Sequence, residues 1–149
     1  MKETYNIEDV ALMTGLSTRT IRTYLSAGFL EGDKSGGSWQ FTAEQVGRFM
    51  EDPAIRPAVH AKRNAIVYDY LSSLPSDAGS MCVVLDLPKG KAEGASAFFC
   101  KAMCAASPSA QLRFASEPVK GGGTRVILSG NEEDVSALMA GYRAWKKEA

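Results

Sequence analysis

Apolar residues at helical spacing predict two short helices near the start of the chain. The first helix has Asn6 as its N-cap and ends at Gly15. The residues of its inner face are Ile7, Val10, Ala11 and Thr14. The second helix is predicted to run from an N-cap at Ser17 to about Ala27, with Gly28 in the position that follows a helix C-terminus.

A loop and a third helix follow. Segment 31–40 is rich in glycine, serine and other turn-forming residues, which predicts a hairpin-like connection. Thr42 and Gln45 have the spacing of a capping box, and they predict a helix that runs to about Met50. Together these elements form a small helical unit with a protruding loop.

A longer helix is predicted over residues 58–74, after the chain breakers Pro53 and Pro57. It carries an apolar stripe formed by Ile66, Val67, Tyr70, Leu71 and Leu74. This stripe requires a partner, either the following part of the chain or the same helix of a second copy. Residues 73–80 have the composition of a linker.

The rest of the chain predicts the order β-α-β-β-α. Strands are expected at 81–87, 111–119 and 124–130, with the glycine-rich turn 120–123 between the last two. The helix between the first two of these strands has an inner stripe of Ala95, Phe98, Phe99, Ala102 and Ala106. The last helix is capped by Asn131 and has an inner face of Val135, Leu138, Met139, Tyr142 and Trp145.

The predicted fold class is therefore α+β. An N-terminal helix-turn-helix unit with a wing occupies residues 1–52, a connecting helix 53–75, and a two-layer α/β sandwich 76–149. A unit of about 70 residues has a marginal core, so we expect it to pack against the connecting helix or a second copy.

The spacing of Ala11, Gly15 and Ile21 is typical of a helix-turn-helix. A small residue allows the two helices to cross closely, and glycine accepts the positive φ of the turn. The outward face of the second helix carries hydroxyl and guanidinium groups suited to phosphates and base edges, on Ser17, Thr18, Arg19, Arg22 and Thr23.

Charge supports this interpretation only locally. The chain has zero net charge, and residues 1–75 hold eight Lys and Arg against nine Asp and Glu. However, no acidic residue lies between Asp9 and Glu31, so the outward face of the second helix is positive. DNA phosphates meet one face of a protein, and for this reason the local charge decides.

At these positions the sequence resembles the MerR family of regulators. The matching stretch is YNIEDVALMTGLSTRTIRTYLSAGFLE, followed by Trp39-Gln40-Phe41 in the wing slot. The resemblance implies DNA contact by Arg19, Arg22 and Tyr24 and by the wing, where we include Lys34 and Gln40. Gln40 stands where the family has an arginine, and the long dimerising coiled coil of the family is missing. Excisionase-like proteins share much of the same motif.

Composition restricts the compartment. The chain is 45% hydrophobic, but no apolar run approaches the roughly 18 residues that cross a membrane. The N-terminus lacks a signal pattern, and three cysteines without paired spacing do not form a disulfide framework. We therefore expect a cytoplasmic protein without membrane contact.

The second half offers weaker candidates for chemistry. Cys100 and Cys104 are expected on the outer face of their helix, either as part of a small-residue surface for another helix or as a metal or oxidant sensor. The Lys120–Thr124 loop is expected to be a hairpin turn rather than a phosphate cradle. The aromatic residues of the two helices in this half, Phe98, Phe99, Tyr142 and Trp145, are expected in the core. Without a nucleophile–base pair or a ligand cluster, we expect neither an enzyme nor a cofactor.

The sequence predicts a DNA-binding transcription regulator that binds duplex DNA as a homodimer through helix 17–27 and wing 31–41. The α/β half would dimerise or bind a small-molecule effector. The alternatives are a protein-interaction module of the antirepressor kind and an excisionase-like architectural factor.

Overall fold

The computed structural model describes residues 3–74, 77–107 and 111–148. Its first part is a helical unit with a two-stranded sheet. The elements in chain order are β1 (Thr4–Tyr5), α1 (Ile7–Thr14), α2 (Thr18–Ser26), β2 (Phe41–Thr42) and α3 (Ala43–Glu51). Strand β1 pairs antiparallel with β2, so the N-terminal segment is joined to the end of the wing. With only two residues, β1 has no strand pattern in the sequence, so this pairing was not predicted.

The second part contains a long helix and an α/β unit. Its elements are α4 (Arg56–Ser72), β3 (Ser80–Leu87), α5 (Lys89–Ala92), α6 (Ala95–Ala105), β4 (Arg113–Pro118), β5 (Thr124–Asn131) and α7 (Glu132–Glu148). The predicted order is confirmed, with α5 as an additional short helix. Helix α4 begins and ends two residues earlier than predicted. Residues 75–76 of the predicted linker lie outside the described residues. So do residues 108–110, which precede the predicted strand 111–119.

The helix starts follow from local hydrogen bonds. Asn6 Oδ1 accepts from the backbone N–H of Asp9 at 2.8 Å, while the Asp9 carboxylate accepts from the N–H of Asn6 at 3.0 Å. Thr42 and Gln45 form the same reciprocal pair at the start of α3. The predicted caps at Asn6 and Thr42 are confirmed, and they satisfy donors that a helix N-terminus leaves unpaired.

The three strands of the α/β unit form an antiparallel sheet in the order β3-β5-β4. Ile127 of β5 lies opposite Val84 of β3 and Ala115 of β4, so these three residues share one face. Strand β3 is an edge strand, and no other strand lies beside its outer edge among the described residues.

Helices cover both faces of this sheet. On one face, Val126, Leu128 and Phe114 belong to a core that includes Phe99 of α6 and Tyr142 of α7. On the other face, Ile66 of α4 packs with Ala115 and Ile127. Helix α4 therefore adds a third layer to the predicted two-layer arrangement of the sheet with α6 and α7.

The winged unit and the α/β unit are packed together. Cys100 of α6 is 1% exposed and its thiol donates to the carbonyl oxygen of Asp9 in α1 at 3.8 Å. Of the small-residue surface predicted on α6, Cys100 is covered by α1, whereas Cys104 is exposed. The backbone N–H of Gly94 also donates to the Glu3 carboxylate at 3.1 Å. Where the domain boundaries lie stays a prediction.

The apolar stripe of α4 is only partly covered. Ile66 is buried and Val67 is half-buried, whereas Leu71 is 75% exposed and Leu74, beyond the helix, is 93% exposed. Three residues of the stripe are thus at least half-buried, and Leu71 and Leu74 face solvent. None of the described helices is both long and apolar enough to cross a bilayer.

Candidate nucleic-acid interface

The turn between α1 and α2 fixes the orientation of the second helix. Gly15 adopts a φ of +77°, a conformation that favours glycine. Thr14 donates from Oγ1 to the Val10 carbonyl oxygen at 2.8 Å, and the N–H of Leu16 donates to Oγ1 of Thr14 at 3.2 Å. Ile21 is fully buried on the inner face of α2. The predicted helix-turn-helix geometry is confirmed at these residues.

The opposite face of α2 presents its cations to solvent. Arg19, Arg22 and Thr18 are all exposed. Within the described part of the chain, neither guanidinium forms an ion pair with a carboxylate. Both groups are therefore available to an external anion, and an arginine fork suits phosphate or the O6/N7 edge of guanine.

Two of the predicted hydroxyl groups have partners inside the helix. Ser17 is the N-cap: its Oγ accepts from the N–H of Thr20 at 3.1 Å and donates to Oγ1 of Thr20 at 2.9 Å. Thr23 donates from Oγ1 to the Arg19 carbonyl oxygen at 3.1 Å. Their lone pairs remain exposed, but their protons are used, so Thr18 is the better hydroxyl donor for a phosphate.

Tyr24 belongs to the core of the winged unit more than to its surface. Its ring makes edge-on contacts with Phe29 and Phe49, with centroids 5.8 and 5.6 Å apart. The residue is half-buried. Its ring therefore supports α2 from behind, and only its exposed part is available to a ligand.

The wing is a hairpin whose base is a short ladder. Asp33 and Gln40 exchange two backbone hydrogen bonds, at 2.9 and 2.8 Å. The Asp33 carboxylate accepts from the N–H and the hydroxyl of Ser35, and the N–H of Gly37 donates to the Lys34 carbonyl oxygen. These contacts define the turn predicted over 31–40.

Two wing residues of the predicted interface, Lys34 and Gln40, are exposed. The ammonium group of Lys34 lies 5.7 Å from the ring centroid of Trp39. Trp39 in turn stacks on Phe41, with an interplanar angle of 3° and centroids 6.2 Å apart. The tryptophan therefore packs against the protein, and it positions the lysine on the wing.

Lys62 is a cation near α2 that the sequence analysis missed. A side chain added at Gly15 would meet Cβ of Lys62 at 2.9 Å, so this part of α4 lies directly against the turn. Lys62 borders the same surface groove as Ser17 and Thr18. Only the tertiary fold brings α4 to this place, and no local pattern signals it.

The weaker candidates of the second half have structural roles. The rings of Phe98, Phe99, Tyr142 and Trp145 pack on one another with centroids 5.1–5.9 Å apart, as expected for a core. Residues 120–123 form the predicted hairpin turn, closed by the N–H of Val119 on the Gly123 carbonyl oxygen. Cys104 is exposed and Cys100 is buried, so the two thiols do not share a surface.

Comparison with known families agrees with the geometry of the N-terminal third. Residues 5–51 match the profile of the MerR HTH family regulatory proteins, which confirms the resemblance seen in the sequence. The match ends where α3 ends, and it does not extend over α4 or the α/β unit. Searches of curated proteins and of solved structures returned no significant match.

Proposed function

We propose that this chain is a transcription regulator that binds duplex DNA as a homodimer, with α2 in the major groove and the wing beside it. The observation that carries the proposal is the pair of guanidinium groups of Arg19 and Arg22 on the second helix of a MerR-type helix-turn-helix. Both are exposed, and neither forms an ion pair among the residues that the structure describes. Such a helix fits the width of the major groove, and arginine is the commonest reader of guanine there.

Phosphate contacts would hold the helix in register. The N-terminus of α2, with Thr18 at its first turn, favours an anion because of its unpaired N–H groups and its dipole. Lys62 adds a cation beside the same end. We assign Lys62, Thr18 and the wing residues Lys34 and Gln40 to contacts with the DNA phosphate backbone. Gln40 can donate a hydrogen bond there but supplies no charge.

The edge strand β3 supports the homodimer. It is eight residues long, contains no proline or lysine, and its single charged residue, Asp86, is already bound by Arg125 at 2.7 Å. Such an edge offers free backbone groups to another strand. Antiparallel pairing with its own copy, centred on Val83, would place Cys82 opposite Val84 of the second copy.

Apolar surface beside this edge favours the same arrangement. Val84 is 53% exposed on the sheet face that α4 only partly covers. Leu71 follows Val67 by one helical turn, and Val67 packs against the same buried cluster as Cys82 of β3. A second copy would cover Val84 and Leu71 together, and two linked DNA-binding units gain affinity that one small unit lacks.

Light scattering during size-exclusion chromatography tests the dimer. We expect twice the 16.0 kDa mass of one chain for the wild type and the mass of one chain for Val84→Asp. Ala140→Asp, at another exposed site on α7, is the control and stays dimeric. A wild type that remains a monomer, or a Val84→Asp protein that remains a dimer, contradicts this interface.

Selection of duplexes from a random pool tests the DNA binding. We expect the wild type to enrich a two-fold symmetric site and Arg22→Ala to lose this enrichment, whereas Arg143→Ala on α7 enriches the same site. The two alternatives are separated by the outcome. An antirepressor-like module enriches no DNA, and an excisionase-like factor bends its site strongly in a permutation assay.

A further inference from the structure

A cavity of about 680 Å³ lies where three parts of the molecule meet. Its walls come from the end of α3 at Met50, the N-terminal half of α4 at Arg56 and His60, and the hairpin between β4 and β5 at Lys120. This volume is in the range of small-molecule sites. None of its lining residues belongs to α2 or to the wing, so it shares no residue with the proposed DNA contacts of those elements.

The charges around this cavity are mainly positive. Four cationic side chains border it, from Arg56, Arg63, Lys120 and Arg125, against the carboxylates of Glu51 and Glu117. Arg63 is paired with Glu117, which is only 6% exposed, and Arg125 is held by Asp86. Within the described part of the chain, Arg56 and Lys120 form no ion pair.

The pKa of His60 is lowered in part by repulsion from these cations. Its Nε2 lies 3.5 Å from Oε2 of Glu117, yet burial and the nearby Arg63 and Arg56 lower its pKa below the ordinary value. Glu117 is paired with Arg63 as well as lying near the imidazole. Burial and the charge of Arg125 likewise lower the pKa of Arg63. An anion in the cavity would relieve this repulsion.

We propose that this cavity binds a small organic anion that carries at least two negative charges as phosphate or carboxylate groups. Arg56, Lys120 and the free donors of Arg63 hold the charged groups, because guanidinium forks match both anions. Met50, Pro118 and Val119 supply apolar wall for the organic part. The bound anion touches α3, α4 and the β4–β5 hairpin at once.

His60 is the only histidine of the chain, so its imidazole proton NMR signals observe the cavity directly. We expect AMP and citrate to shift these signals saturably and to raise the pKa of His60, while uncharged adenosine leaves them unchanged. A response to AMP alone assigns the site to phosphates, and a response to citrate alone assigns it to polycarboxylates. Each of these results supports the proposal.

Two variants test the assignment to the cavity. Arg56→Gln and Lys120→Gln lie at the surface and are expected to weaken anion binding about tenfold each, the loss of one charge-assisted hydrogen bond. Lys101→Gln, an exposed cation on α6, is the matched control and binds as the wild type does. Amide NMR spectra verify that every variant is folded.

The proposal is overturned if none of the anions shifts the His60 signals at about 1 mM. Equal binding by Lys120→Gln, Arg56→Gln and the control also overturns it. A third contrary result is a shift caused by duplex DNA and not by small anions, since the cluster would then be a DNA-backbone contact. These outcomes are independent of whether α2 reads DNA, which Arg22→Ala tests separately.

Discussion

The thiol of Cys100 in α6 points at the carbonyl oxygen of Asp9 in α1, with 3.8 Å between the two atoms. This contact joins the α/β unit to the first helix of the helix-turn-helix, while Arg19 and Arg22 of α2 stay exposed. The winged unit is therefore supported by the second half of the chain while its candidate DNA surface stays open. A structural change in the α/β unit would therefore act on α1 through the contact of Cys100 with Asp9.

The cysteines are expected to differ in reactivity. Burial is the main reason that the pKa of the Cys100 thiol is raised, and the nearby Asp9 adds to the effect, whereas Cys104 is exposed. In the Cys82→Ser background, a thiol reagent should modify Cys104 rapidly and Cys100 only after unfolding. The same background with Cys104→Ser is the control. Rapid native labelling of that control would contradict the close packing of α6 on α1.

Gly15→Ala is expected to destabilise the protein by more than the usual cost of a left-handed alanine, which is about 1–2 kcal/mol. The backbone has a φ of +77°, and the added methyl group would meet Cβ of Lys62 at 2.9 Å. Urea denaturation measures the loss. Lys62→Ala should not rescue it, because alanine keeps the Cβ atom.

Gly36→Ala is the matched control for this change, because Gly36 has an ordinary φ and nothing within 4 Å of an added methyl group. Its free energy of unfolding should stay within about 0.5 kcal/mol of the wild type. An equal loss from both substitutions would show that the turn is not held as the structure has it.

Thr42→Ala is expected to cost about 1 kcal/mol of unfolding free energy, because the capping box of α3 loses its side-chain acceptor. Thr42→Ser keeps the hydroxyl group and should retain most of the stability. Both values come from the same denaturation curves. A loss as large for serine as for alanine would assign the effect to the methyl group of Thr42 instead of its hydrogen bond.

The stability of the fold should depend on pH through His60. Its pKa is lowered in the native protein, so the unfolded chain binds the proton more tightly. Above the unfolded-state pKa of about 6.5, His60 is neutral in both states and does not affect stability. As the pH falls from there toward the native pKa, the unfolded chain takes up the proton first and the native protein loses stability. The difference between wild type and His60→Gln, measured by denaturation from pH 7.5 to 5, should show this slope. A flat difference would contradict the charge environment described for the cavity.

Local chemistry made part of this structure predictable. Asn6, Ser17 and Thr42 form their caps with residues three positions away, and Gly15 marks a turn by its own conformation. The contacts between distant parts of the chain were not predictable in this way. Cys100 and Asp9 are 91 positions apart, and the two residues of β1 show no strand periodicity.

The cationic cavity illustrates the same limit. Arg56 and Arg63 were on a helix expected to be a connector, and Lys120 was in a loop expected to be a simple turn. The hairpin did form, but the sheet order β3-β5-β4 and the packing of α4 on it bring Lys120 toward the arginines. The spacing of these residues along the sequence does not show that Lys120 and the arginines lie close together in the fold.

The salt dependence of binding to the selected duplex tests the central claim most directly. In an anisotropy titration, the logarithm of the binding constant should fall with the logarithm of salt concentration, with a slope of about −0.9 for each neutralised phosphate. Arg19→Ala together with Arg22→Ala should reduce affinity at least tenfold and flatten that slope, while Arg143→Ala leaves both unchanged. Binding without a salt dependence, or with the same slope in the double variant, would contradict the assignment of α2 to DNA.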